Sequence, residues 1–228
     1  MNPNDPNVAL VEIAAAALDP LLDRVVFIGG STAGLMITDN TRPAVRATQD
    51  VDLIVEIGSK AEYYKLSQQL RAAGFREHPE VVCRWRLGEL KIDVMPTEKE
   101  ILGFSNRWYP AAMRDARSVA LPSGREIRLI SLPLFLATKI EAFYDRGAGD
   151  FGASHDIEDI VNLIDGRPEI VDEVKSAESE VLSYLREEFD DLLASRFVDV
   201  IPWHLGPQPE DQLRTETVIQ RMRAIAGL

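Results

Sequence analysis

The sequence predicts an α+β protein, with a mixed-sheet N-terminal half over residues 1–130 and a helical region over residues 131–228. Three observations carry that expectation. Residues 50–57 and 90–95 alternate between apolar and polar side chains, the period of strands with one buried face. Shorter apolar stretches at residues 24–28 and 126–130 add two more strands. From residue 131 onward the apolar residues recur at three- and four-residue spacing, the period of helices with one buried stripe.

Taken in chain order, residues 7–18 read as an opening helix, with Val8, Val11, Ile13 and a run of alanines. Arg24-Val25-Val26-Phe27-Ile28 is a strand ended by Gly29-Gly30-Ser31, where a helix begins that carries Leu35, Met36 and Ile37 inward. Residues 38–49 are polar, hold Pro43 and read as a loop. In residues 50–57, Val51, Leu53, Val55 and Ile57 share one face, and Asp50, Asp52, Ile54 and Glu56 share the other. Ser59-Lys60-Ala61-Glu62 has the form of a capping box, opening a helix through Leu66 and Leu70 that stops at Gly74. Residues 81–86 and 90–95 pair as a hairpin about Gly88-Glu89, with Leu90, Ile92 and Val94 opposite Lys91, Asp93 and Met95.

In the second half, Ser131 caps a helix bearing Leu132, Leu136, Ile140 and Phe143, which ends near Gly147. A glycine-rich loop over residues 147–153 follows. Ser154 caps the next helix, with Ile157, Ile160, Val161 and Ile164 on one stripe. Residues 169–195 and 210–226 read as two more helices.

At 228 residues the chain holds one large or two small domains. Apolar residues at 46% and charged residues at 27% are ordinary for a soluble protein. No stretch approaches the roughly 20 apolar residues of a membrane span, so no membrane partner is expected. The N-terminus lacks the basic start and apolar run of a signal peptide, so a cytoplasmic location is expected. The single cysteine, Cys83, excludes an internal disulfide and, with three histidines, a Cys/His zinc site. A net charge of -12 disfavours a chain whose main task is coating nucleic acid, where affinity grows from phosphate neutralisation.

The acids carry the chemistry. Asp50 and Asp52 are two apart on a strand, so their side chains leave one face, and Asp93 lies opposite an apolar row on another strand. If those strands are neighbours, three carboxylates converge, and their mutual repulsion calls for a cation. Hard oxygen ligands favour Mg2+ or Mn2+. The plainer reading, solvated acids on an exposed strand face, stays open from spacing alone. Gly29-Gly30-Ser31 between strand and helix lets the backbone approach a ligand and offers free N–H groups to an anion, although such a pair is often only a turn.

These residues bear a family resemblance. Phe27-Ile28-Gly29-Gly30-Ser31, then Asp50-Val51-Asp52, then Ile92-Asp93-Val94 resembles the nucleotidyltransferase signature of the DNA polymerase β superfamily. The approach Arg46-Ala47-Thr48-Gln49-Asp50-Val51-Asp52 is similar to the AbiEii/AbiGii toxin-like branch. So is Leu136-Ala137-Thr138-Lys139, followed by Arg146 and His155-Asp156-Ile157-Glu158-Asp159. The likeness covers roughly residues 25–165, with a long spacer before Asp50 and a histidine, His155, where a lysine is expected.

The resemblance implies a magnesium-dependent nucleotidyltransferase that moves a nucleoside monophosphate from an NTP to an acceptor hydroxyl. The N-terminal half is then the nucleotidyltransferase core, and the helical region completes the active-site cleft. Asp50, Asp52 and Asp93 would hold two metals roughly 3.5–4 Å apart, with Asp93 also serving as general base. Gly29, Gly30 and Ser31 would grip the terminal phosphates, with Arg46 and Thr48 beside the nucleotide. Lys139 would reach a phosphate from the edge of its helix, and Asp156 is the late acid of the branch. The toxin-like branch implies RNA, such as a tRNA end, or a protein as acceptor, and a cognate antitoxin as partner. Two other readings are a small-molecule enzyme of the antibiotic-modifying type, which suits the acidic balance, and a non-catalytic nucleotide-binding protein on the same fold. Trp85, Trp108 and Trp203 are expected in core or interface, and Cys83 as a buried apolar residue.

Overall fold

The computed structural model describes residues 5–39, 41–42, 45–146, 149–206 and 210–228. Residues 1–4 and, in the expected loops, Pro43, Gly147 and Ala148 lie outside the described residues. The protein is α+β, with a mixed sheet and a helical C-terminal region. It forms two compact units. One takes the chain up to Leu35 together with Arg46–Ser131, and the other takes Met36–Val45 with Leu132–Leu228.

The first unit opens with α1 (Pro6–Ala17). Asp5 caps it, its Oδ1 accepting the Asn7 N–H at 2.8 Å, and proline at the first helical position forfeits only an N–H that has no helical partner. Val8, Val11, Ala14 and Ala15 are its buried stripe. Strand β1 (Val25–Ile28) leads into a tight 3-10 turn, Gly30–Thr32, and the one-turn α2 (Ala33–Met36). After β2 (Val51–Val55) comes α3 (Lys60–Ala72), capped by Ser59. The Glu62 carboxylate accepts the Gly58 N–H at 2.8 Å, one residue beyond the Ser59 N–H that a capping box predicts. Then follow β3 (Arg76–Glu77), β4 (Arg84–Leu87), β5 (Leu90–Pro96), α4 (Lys99–Leu102), α5 (Tyr109–Arg114), β6 (Arg117–Ala120) and β7 (Glu126–Leu129).

The seven strands form one sheet in the order β3-β4-β5-β2-β1-β7-β6. Pairs β2/β5 and β1/β7 are parallel and the others antiparallel. Val51, Leu53, Val55, Ile92 and Val94 are buried, as the alternation predicts. Ile54, on the face of Asp52, is buried too, so within β2 that face is partly open only at Asp52. The strand expected from residue 81 begins at Arg84, because the residues before it form a turn in which His78 Nδ1 accepts the N–H groups of Glu80 and Val81. Trp85 and Trp108 are core residues, as expected.

The second unit contains α6 (Leu132–Asp145), α7 (His155–Gly166), α8 (Ile170–Lys175), α9 (Ser179–Ala194), α10 (Phe197–Leu205) and α11 (Glu210–Ala226). Its core includes Leu136, Ile140, Phe143, Ile157, Ile160, Val161, Ile164, Leu185, Phe189 and Met222. The single helix expected over residues 169–195 is two helices. Ser176 closes α8 by donating its N–H and hydroxyl to the Glu173 carbonyl. The expected hydroxyl cap at Ser131 is not made, since its Oγ has no hydrogen-bond partner. Met36–Val45 joins this unit because the N–H groups of Thr38 and Asp39 both donate to the Gly166 carbonyl at 3.1 Å and Arg167 donates to the Met36 carbonyl at 2.9 Å. Trp203 is exposed. Among the described residues, no helix is long and apolar enough to cross a membrane.

Candidate active site

Residues that are partners across a ladder point to the same face of the sheet. Asp52 is the partner of Asp93 on the parallel pair β2/β5, and of Ile28 on β1. Asp93 is in turn the partner of Arg84 on β4. One row therefore crosses four strands: Ile28, Asp52, Asp93, Arg84. Asp50, two residues before Asp52, adds a third acid to that face.

Arg84 joins two of the acids. Its Nε donates to Asp93 Oδ1 at 2.8 Å, and its Nη2 donates to Asp93 Oδ2 at 2.7 Å and to Asp50 Oδ2 at 2.5 Å. The Asp93 pair is the planar fork geometry that makes arginine–carboxylate contacts strong. Hydrogen bonding to Asp93 pushes the Arg84 pKa further up, against the opposing effect of burial, with the charges of Asp93 and Asp50 adding to the rise. Burial, and then the charge of Asp93, pushes the neighbouring Cys83 thiol up to about 11.

The glycine turn belongs to the same place. Gly29 adopts φ +74°, and a β-carbon there would overlap the Asp52 carboxylate. Thr32 locks the turn, donating its N–H at 3.1 Å and its hydroxyl at 2.7 Å to the Gly29 carbonyl. Gly30 and Ser31 are buried, and the Ser31 hydroxyl has no hydrogen-bond partner. The loop before Asp50 hangs on Asn7 of α1. Asn7 Nδ2 donates to the Arg46 carbonyl at 3.0 Å, and its Oδ1 accepts the Thr48 N–H at 2.8 Å and hydroxyl at 3.3 Å.

The carboxylate set suits a hard divalent cation in its chemistry, and a guanidinium already lies where cationic charge is wanted between Asp50 and Asp93. Among the described residues, no three His, Cys, Asp or Glu side chains are drawn round a single point. Asp50 and Asp93 meet on Arg84, while Asp52 faces the Gly29 turn.

Lys139 and Asp156 meet within the helical unit. The Lys139 ammonium lies 3.0 Å from Asp156 Oδ1 and 2.6 Å from Asp159 Oδ2, all three residues being buried. Arg146, largely exposed, adds a contact to Asp156 at 3.1 Å. Ser154 caps α7, its Oγ accepting the Ile157 N–H at 3.3 Å. Between the end of α6 and the start of α7, a cleft of about 260 Å³ opens on Arg146, Ser154, His155 and Asp156.

Sequence reasoning missed three of these residues. Arg84 had a usable signal: a hairpin turning at Gly88-Glu89 pairs Leu87 with Leu90, and therefore residue 84 with residue 93. Asp159 lies one helical turn after Asp156, a spacing that puts both acids on one face of α7. Asn7 gave no signal, because its partners are some 40 residues away. Arg42, in the loop before Arg46, lies 3.1 Å from Asp39 and 3.3 Å from the buried Asp165.

No family model and no curated protein matches the chain. Among solved structures, the crystal structure of JHP933 from Helicobacter pylori is similar, aligned over 97% of this chain and 92% of that one at 13% sequence identity and a TM-score of 0.42.

Proposed function

We propose that this chain is a divalent-metal-dependent nucleotidyltransferase of the DNA polymerase β type, transferring a nucleoside monophosphate from an NTP to an acceptor hydroxyl with release of pyrophosphate. The observation that carries the reading is the register of Asp52 with Asp93, beside Asp50 and against the glycine turn. Chance placement of solvated acids does not explain a left-handed glycine whose missing β-carbon makes room for one of them. The hydroxyl of Ser31, buried without a partner, further supports a polar ligand at the turn, since such groups are normally satisfied.

In this reading Asp50, Asp52 and Asp93 hold Mg2+ or Mn2+. Bound there, the metal supplies charge to the phosphates and makes the attacking hydroxyl more acidic. Ser31 donates its hydroxyl to a terminal phosphate oxygen, and the Gly30 backbone N–H would offer a second contact. Asp93 accepts the proton that the acceptor hydroxyl loses. Within the helical unit, Asp156 and Asp159 fix the Lys139 ammonium. The acceptor is RNA or a protein, with an antitoxin as the partner that restrains the enzyme.

The test is incubation of the chain with each labelled NTP, Mg2+ and, in separate reactions, total RNA, a protein extract or an aminoglycoside. Label should pass to RNA or protein and fall at least ~100-fold in Asp52→Asn, the scale on which loss of a charge-stabilising group acts. Label on the aminoglycoside alone would move the enzyme to the small-molecule class. Equal transfer by Asp52→Asn and the unaltered chain would remove the acids from the chemistry.

A further inference from the structure

We propose that Arg84 is a displaceable counter-ion of the acid site, holding Asp50 and Asp93 together until a divalent cation takes its place. The inference rests on the reading that these acids bind a divalent cation. Arg84 uses three of the four carboxylate oxygens of Asp50 and Asp93, from one side chain on the neighbouring strand. Those are the oxygens a cation would need.

The two cations compete for them. A guanidinium donates in the plane of its own fork, along the lone pairs of the carboxylates. A divalent metal on the same oxygens, at roughly 2.0–2.6 Å, would set two cations side by side in a partly buried site, where like charges repel. Entry of one therefore favours departure of the other. Arg84 is suited to leave, since its side chain is 23% exposed, whereas the Asp93 side chain it covers is 12% exposed. It is equally suited to wait. Asp93 is nearly buried, and without a cation its charge and that of Asp50 would repel each other across a poorly hydrated gap.

Two consequences follow from the exchange. The apparent metal affinity of the unaltered chain is lowered by the fraction of molecules in which Arg84 is seated. The acids also stay ordered in the absence of metal, so the site is kept assembled rather than formed on binding.

The experiment titrates the full chain with Mn2+ and follows the free ion by electron paramagnetic resonance. It compares the unaltered chain, Arg84→Met, Arg84→Gln and Asp52→Asn, each checked for fold by circular dichroism; Gln, polar and neutral, carries the test if Met does not fold. Removing the guanidinium should tighten Mn2+ binding about tenfold or more, and Mn2+ should raise Tm further in the Arg84 variants than in the unaltered chain. Binding that is unchanged or weaker in the Arg84 variants, yet lost in Asp52→Asn, would overturn the counter-ion and leave the acid site standing. No Mn2+ binding by any of the chains would overturn the acid-site reading, and the counter-ion with it.

Discussion

Gly29 and Asp52 are packed so closely that only hydrogen fits at position 29 on the side facing the carboxylate. The backbone there also has φ +74°, which L side chains rarely adopt. Both effects act on Gly29→Ala in the same direction. The variant should lose about 1–3 kcal/mol from backbone strain alone, with displacement of Asp52 adding to the loss. Chemical denaturation measures the total. If Asp52→Ala in the Gly29→Ala background restores part of the loss, the clash with the carboxylate is the cause.

Lys139 and Arg146 both touch Asp156, yet their removal should cost very different amounts. Lys139 is buried between Asp156 and Asp159, and Lys139→Met leaves two buried carboxylates without their main cation. Breaking such a pair costs about 3–5 kcal/mol. Arg146 is largely exposed, and Arg146→Ala should cost less than about 1 kcal/mol. Thermal and urea unfolding of the two variants checks the order.

Asn7 ties the loop before the acids to α1. Its side chain is buried and satisfies the Arg46 carbonyl and the Thr48 N–H at once. Asn7→Ala removes the acceptor of the Thr48 N–H and a donor to the Arg46 carbonyl, at about 1–3 kcal/mol. The damage should be local. Trypsin should cut after Arg46 sooner than in the unaltered chain while the far-ultraviolet circular dichroism is unchanged. Equal cutting rates would show that Asn7 does not hold the loop.

What was readable in the sequence follows from the range of the interactions involved. Strand β2 was legible because alternation of Val51, Leu53 and Val55 against Asp50 and Asp52 is a period-two signal inside one segment. Helices α6 and α7 were legible for the same reason at the helical period. Strand β6, Arg117–Ala120, was not, because three of its four residues are exposed and an edge strand needs no apolar alternation. Helix α10 was missed because it carries Pro202 in its interior, a residue that argues against a helix on propensity. At the site, the acids and the glycine turn were legible as motifs. Their counter-ion was not read, although the hairpin register places Arg84 opposite Asp93. Asn7 lay beyond reach, since only the fold brings residue 7 to residues 46–48.

Cys83 reports on the acid site from the turn that leads into β4. Its thiol is pushed up to about 11 by burial first and by the charge of Asp93 second. The thiol is neutral when protonated, so burial favours the protonated form and raises the pKa above the ordinary value of 9.0. The stability linked to this group is fully present below pH 9 and is lost as pH rises from 9 toward 11, because over that range the unfolded chain gives up the proton and the folded chain keeps it. Iodoacetamide should accordingly label Cys83 very slowly at pH 8, with a midpoint near 11 in the folded chain and near 9 in denaturant. Asp93→Asn removes the second cause and should move the folded midpoint down. A midpoint that Asp93→Asn leaves in place would mean that the carboxylate on β5 and the thiol before β4 do not sense each other.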